Sequence, residues 1–278
     1  SMNSLGEFQI QEEQIFNCHV STVSIQTEKA ARKLNRQIGK YITIYYPTPF
    51  DQYIEIAEVG ECLAIVLNRI LHPYHDGTLC ICGLGNQKVT ADSLGPEVLY
   101  NLPLKVLETK QTPGTFQKVF SIAPGTEFSN GINTETLIKG IVQETHTTCL
   151  LLIDSSITED PTQLAQTIQL STAGGTNPFM ANRKGNWTNL NIPVISLCVP
   201  TTFPLYNPND KNQKTMLTDI HIQDTIFAAS ITISYALLRV FWPSLSKQEC
   251  FILAKQNHDP LPFSTIWFEE TEDNTPIP

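Results

Sequence analysis

The chain has 278 residues, 41% of them apolar and 16% charged, with a formal net charge of −9 and a pI near 5.1. That balance excludes a disordered polymer. The longest basic cluster is Arg183-Lys184, so the basic stripe of a nucleic-acid binder is missing. The length suits one large α/β domain, and no composition break marks a linker, so 1–278 is read as a single domain.

In chain order, residues 1–20 are polar at first and expected to be loosely ordered, with Ser1 read as an addition ahead of Met2 and no signal peptide after it. "CHVSTVSIQT" and "GKYITIYYP" read as strands, the second ended by Pro47. Apolar residues at 53, 54, 56, 57 and 64–67 predict an amphipathic helix opening near Asp51. "TLCICGLG" is a short continuous apolar run, typical of a strand buried on both faces. "PEVLYNLPLKVL" leads out as a helix, and "KVFSIAPG" is a further strand. "NTETLIKGIVQET" predicts a helix capped by Asn133 or Thr134. "TCLLLID" is a buried strand ending at Asp154, followed by strands in "AQTIQLS" and "IPVISLCVP". Helices are expected over 221–241 and 246–256, which makes the divergent region 205–278 mainly helical, and 269–278 forms an acidic tail.

Strands alternating with helices predict an α/β fold of phosphorylase or hydrolase type. Its central sheet would be mostly parallel, with helices on both faces and an N-terminal strand-rich extension. "TIFAASITISYALLRVFWP" approaches a membrane span in length. Its Thr, Ser, Tyr and Arg239 favour a buried core helix, so no membrane partner is expected. The seven cysteines lack any CxxC spacing and are read as reduced, buried thiols.

"CGLGNQKVTADSLGPEV" (82–98) raises a phosphate loop first. Lys88 stands where GxGxxG needs its third glycine, and GxxxxGK[ST] is absent. The carboxylates are more telling. Functional groups of open α/β sheets collect beyond the carboxyl ends of strands. Asp154 ends one apolar run and Asp92 follows another, so both fall on one sheet edge. Two neighbouring carboxylates can divide the work, one holding a proton while the other activates a water. A helix N-cap role for Asp92 and a backbone-bonded strand end for Asp154 stay open. "HPYHDG" and "DIHIQD" place histidines beside carboxylates, but neither completes a metal-ligand set, so no metal or other cofactor is expected. Ser155 and Ser156 could be nucleophiles, yet no histidine is placed by sequence to activate them.

The same residues resemble the germination (spore) endopeptidases. Residues 82–98 resemble that family's GLGNxxVTPDALGP segment. "FSIAPGTEFSNGINTETLIKGIV" (120–142), "LLIDSS", "QTIQLSTAGGTNPFMANRKG" and "IPVISLCVPT" resemble further segments in the same order, over about residues 34–202. The resemblance implies an atypical, metal-free aspartic endopeptidase that degrades small acid-soluble spore proteins. It would be a homo-oligomer in the cytoplasm of the forespore or spore core. The family's two essential aspartates map onto Asp92 and Asp154, with Gly83, Gly85, Asn86 and Gly95 shaping or orienting the loop.

Several family positions differ here. The glutamate of the GIET segment is Asn133, an Asp and a His are lost across 172–177, and the stretch after the second aspartate reads Ser155-Ser156-Ile157-Thr158-Glu159. These differences mark a divergent member. A catalytically impaired or non-catalytic spore homologue is the alternative, and a metal-dependent maturation-type peptidase the second.

Overall fold

A computed structural model describes residues 8–46, 54–104, 116–174, 187–207 and 210–256. The tail 269–278, the residues before Phe8 and the expected helix start near Asp51 lie outside them. Among the described residues, nine strands form one sheet: β1 (Phe8–Ile15), β2 (Cys18–Ile25), β3 (Gly39–Tyr45), β4 (Thr78–Gly83), β5 (Lys118–Ile122), β6 (Cys149–Ile157), β7 (Thr167–Ser171), β8 (Val194–Asn207) and β9 (Asp210–Thr218). The helices are α1 (Glu28–Leu34), α2 (Ile54–Leu71), α3 (Leu94–Tyr100), the short α4 (Glu127–Asn130), α5 (Thr134–Glu144), α6 (Ile222–Phe241) and α7 (Lys247–Lys255).

The strand order is β1-β2-β3-β7-β8-β6-β4-β5, with β9 paired to β8. Of these pairings, β4–β5, β4–β6 and β6–β8 are parallel; the others are antiparallel. The expectation of a mostly parallel sheet is therefore corrected to a mixed one. The reason lies at β7. It comes after β6 through a short turn at Pro161–Gln163, so it returns antiparallel and seats itself against β8. β3 then pairs with β7, which joins the N-terminal strands to the central sheet. Residues 8–15, expected to be loose, form β1 in full register with β2. The region after 205 is not mainly helical at its start, because β8 runs on to Asn207 and pairs with β9.

Helices do cover both faces. Strand alternation sends Leu79, Ile81, Leu151, Ile153, Ile195 and Leu197 to a large core under α2, α3 and α6. Cys80, Cys82, Leu150, Leu152 and Val194 point the other way, onto Ile138 and Val142 of α5. Asn133 caps α5 by accepting from the Thr136 N–H at 3.2 Å. All seven cysteines are free and buried, and burial pushes the Cys80 and Cys149 thiols up to about 12. α6 is long and apolar enough to cross a membrane, yet almost all of it is buried within the fold.

α2 and α6 cross closely. Gly60 leaves space for the Tyr235 ring, 2.6 Å from where a Cβ would stand. Beside it, the Arg239 Nε donates to Glu61 Oε1 at 2.8 Å, the Tyr235 hydroxyl donates to the same oxygen, and Arg239 Nη1 donates to the Leu245 carbonyl at 3.2 Å. This ion pair is almost fully buried. Removing one partner would leave the other charge stranded in the core. Glu61→Ala should therefore lower the unfolding free energy by about 3–5 kcal/mol in urea titration, more than an ordinary truncation at a helix surface.

Candidate functional site

The site is built where β4 hands over to α3. β4 ends at Gly83, paired with Ile153 of β6. The Leu84 N–H then donates to the Ile153 carbonyl at 2.8 Å, carrying the contact one residue further. Gly85 has φ +129, in the region where only glycine is comfortable, and a Cβ there would collide with the Asp92 carbonyl oxygen. The chain turns back through Thr90–Asp92, a single 3-10 turn packed against β6 and β8. α3 begins at once, with Gly95 pressed onto β6. A Cβ on Gly95 would lie 2.6 Å from the Ile153 carbonyl and would overlap the Leu84 backbone. A Cβ on Gly83 would in turn collide with the Gly95 carbonyl.

Asp92 closes this loop. The Asn86 N–H donates to Asp92 Oδ2 at 2.9 Å and to the Asp92 carbonyl at 2.9 Å. The orienting role expected of Asn86 thus belongs to its backbone. Its side-chain Oδ1 instead accepts from the Lys88 N–H at 3.0 Å. Asp92 is not the N-cap of α3; that position is Ser93, which makes no side-chain cap bond. Thr201 pins the loop from β8, its hydroxyl donating to the Ala91 carbonyl at 2.7 Å.

Asp154 lies within β6 rather than at its end, since the strand continues to Ile157. It still stands one residue past the last β4 pairing, so relative to β4 it is at the carboxyl edge. Only 1% of it is exposed. Its Oδ1 accepts from the Ser155 N–H at 2.9 Å. Alternation places it on the face of Leu150 and Leu152, and across the ladder it pairs with Cys198 of β8. Cys198 pairs in turn with Gln169 of β7. Burial is the main cause that pushes the Cys198 thiol up to about 12; the Ser156 hydroxyl opposes the rise and the Asp154 charge adds to it. The β6–β8 register slips at Ser156/Ile157, next to Pro200, a local irregularity of the kind often found beside functional sites.

Thr201, Cys198 and Gln169 lie within the family-like segments, but nothing in the sequence ties them to the aspartates. Only the pairing of β6, β7 and β8 brings them to the site. Ser155 and Ser156 are on β6, and no hydrogen bond links either hydroxyl to a histidine among the described residues. His72 and His75 sit in a turn, their rings 5.3 Å apart, with His75 edge-on to Phe116. His221 Nδ1 lies 3.8 Å from an Asp224 carboxylate on an exposed helix start. No group of three or more His, Cys, Asp or Glu side chains that could hold a metal gathers among the described residues.

A family model described as germination protease matches residues 1–205. A germination protease of Clostridium perfringens is 32% identical over 191 residues, which is 66% of this chain and 58% of that protein. One from Caldanaerobacter subterraneus subsp. tengcongensis is 30% identical over 200 residues, 69% of this chain and 62% of that protein. One from Priestia megaterium is 30% identical over 193 residues, covering 52% of its length. The chain thus spans less than two thirds of these relatives.

The close backbone contact predicts opposite effects for two glycine substitutions. Gly95→Ala should destabilise by about 1–3 kcal/mol, because backbone atoms on two sides must give way. Gly140→Ala on the outer face of α5, where a Cβ meets nothing within 4 Å, should stabilise by about 0.5–1 kcal/mol. Denaturant melts of the two variants against the parent protein check both signs.

Proposed function

Because the chain belongs to the germination protease family, we propose that it is an aspartic-type endopeptidase acting on small acid-soluble spore proteins in the forespore or spore core. The observation that carries this reading is the pairing of the family match with two carboxylates carried at one sheet edge, Asp92 on the turn packed against β6 and Asp154 on β6 itself.

The two environments suit different tasks. Asp154 is enclosed, and removal from water favours the neutral form of a carboxyl group. It is the member fitted to hold a proton and deliver it to the leaving amine. Asp92, on a loop that keeps partial access to solvent, is the member fitted to take a proton from an attacking water. In the resulting step the water oxygen bonds to the peptide carbonyl carbon as Asp92 accepts the proton. Collapse of the tetrahedral intermediate breaks the C–N bond as Asp154 protonates the nitrogen. Gly83, Gly85 and Gly95 support the step indirectly by letting the loop lie against β6.

Asp92→Asn and Asp154→Asn should each reduce cleavage of a small acid-soluble spore protein by at least about 10²–10⁴-fold, the range that a positioned acid or base contributes. Mass spectrometry of the digest reads the products. Undiminished cleavage in both variants would overturn the reading. A parent protein that binds the substrate without cutting it would instead establish the non-catalytic alternative, to which the changed residues at Asn133 and 155–159 point.

A further inference from the structure

Thr201 stands at an irregular step of the sheet. β6 advances by one residue, from Ser156 to Ile157, while β8 advances by two, from Pro200 to Thr202. Thr201 is therefore the extra residue of a β-bulge, outside the β6–β8 register. Its neighbours are held on either side. The Pro200 carbonyl accepts from the Ala165 N–H at 2.8 Å, and the Thr202 carbonyl accepts from the Thr158 N–H at 3.0 Å. A bulge re-aims the side chain of its extra residue. Here the hydroxyl belongs to a residue only 1% exposed, and it donates to the Ala91 carbonyl at 2.7 Å. The Thr201 carbonyl accepts from the Thr218 hydroxyl of β9 at 2.7 Å.

The Ala91 carbonyl belongs to the peptide unit that enters Asp92. That unit is held at both ends, because the Asp92 N–H donates to the Val89 carbonyl at 2.8 Å. The unit that leaves Asp92 is held likewise. Its carbonyl accepts from the Asn86 N–H at 2.9 Å, and its N–H, that of Ser93, donates to the Thr90 carbonyl at 3.2 Å. Peptide units are planar, so these bonds together fix both backbone angles of Asp92. The three that lie within 86–93 set only the internal shape of the turn. The Thr201 bond comes from β8, the strand on which Cys198 pairs with Asp154.

We propose that Thr201 is a positioning residue for Asp92: from the bulge on β8 its hydroxyl fixes the Ala91–Asp92 peptide unit against the strands that carry Asp154, and so sets where Asp92 stands relative to Asp154. Thr218 acts one step behind, holding the bulge through the Thr201 carbonyl. The inference deepens the function proposed above and rests on its assignment of Asp92 as the base that takes a proton from water. A base must lie within hydrogen-bond reach of the proton it takes, and a small displacement lowers the rate far more than it weakens the binding of an extended substrate.

Thr201→Val keeps the branched shape and removes the donor. It should lower kcat for cleavage of a small acid-soluble spore protein by about 10–100-fold while KM stays within about twofold. Thr201→Ser, which restores the hydroxyl, should recover most of the lost kcat. An unchanged kcat in Thr201→Val, or an equal loss in the Val and Ser variants, would overturn the proposal. Residue-resolved amide hydrogen exchange on the full chain, followed by NMR, reads the loop without turnover. In Thr201→Val the Asn86 and Asp92 amides should exchange about tenfold faster, the worth of one hydrogen bond, while the α5 amides keep the parent rate. Unchanged exchange at Asn86 and Asp92 would also overturn the proposal, as would a uniform rise across the molecule, which marks a residue that only stabilises the fold. Thr218→Val, at an exposed position, should give the same local pattern at smaller size and serves if Thr201→Val fails to fold. Parent protein without cleavage would refute the peptidase assignment and leave the exchange of Asn86 and Asp92 to decide the role of Thr201.

Discussion

The arrangement at the carboxyl edge depends on one constraint, the contact of backbone with backbone between the 83–95 segment and β6. Gly83, Leu84 and Gly95 approach the Ile153 region so closely that no side chain fits between them. The Leu84–Ile153 hydrogen bond sets the distance. Once that contact is made, the reversal at Gly85 and the Asn86–Asp92 bonds leave the Asp92 backbone little freedom. A carboxylate mounted in this way is placed by main-chain geometry, which is stiffer than any chain of side-chain contacts.

The two faces of the sheet differ in polarity. The large core under α2, α3 and α6 is almost wholly apolar, and the ion pair buried in it, Glu61 with Arg239, is fully engaged. On the opposite face, apolar residues cover only the stretch under α5. Beyond it come Thr167, Gln169, Ser171, Ser196, Cys198 and Asp154, all essentially closed to solvent. Enclosed polar groups are costly unless their hydrogen bonds are met. An ordinary core would place Val or Leu at these inward strand positions, so the face around Asp154 is unusually rich in enclosed polar groups.

Local elements were readable because their signals are local. The apolar run in β4, the cap at Asn133 and the 20-residue α6 announce themselves through composition and period. The sheet's polarity was not, because it turns on β7. Nothing in "TIQLS" says that the strand will pass over β6 and join β8 in the opposite direction. β1 was missed for a related reason: "FQIQEEQI" is polar enough to read as loose, and only its full ladder to β2 holds it. That Asp92 follows β4 and that Asp154 belongs to a buried strand was legible from the apolar runs before them. Asp154 proved to be inside its strand, since β6 outlasts β4 and continues along β8. Thr201, Cys198 and Gln169 stayed hidden because their relation to the aspartates exists only through strand pairing.

The family match stops at residue 205, yet the segment beyond it is no appendage to the site. α6 lies behind α3, where the Ser234 hydroxyl donates to the Val98 carbonyl at 3.1 Å and Asn101 Nδ2 donates to Ser230 Oγ at 3.0 Å. The Thr218 hydroxyl at the end of β9 donates to the Thr201 carbonyl at 2.7 Å, and Thr201 in turn holds the Ala91 carbonyl. The unmatched segment therefore bears on both supports of the Asp92 loop, α3 from one side and Thr201 from the other. α6 fills the large core with apolar side chains and offers small hydroxyls where α3 needs partners, which accounts for a helix that resembles a membrane span in composition while buttressing the Asp92 loop.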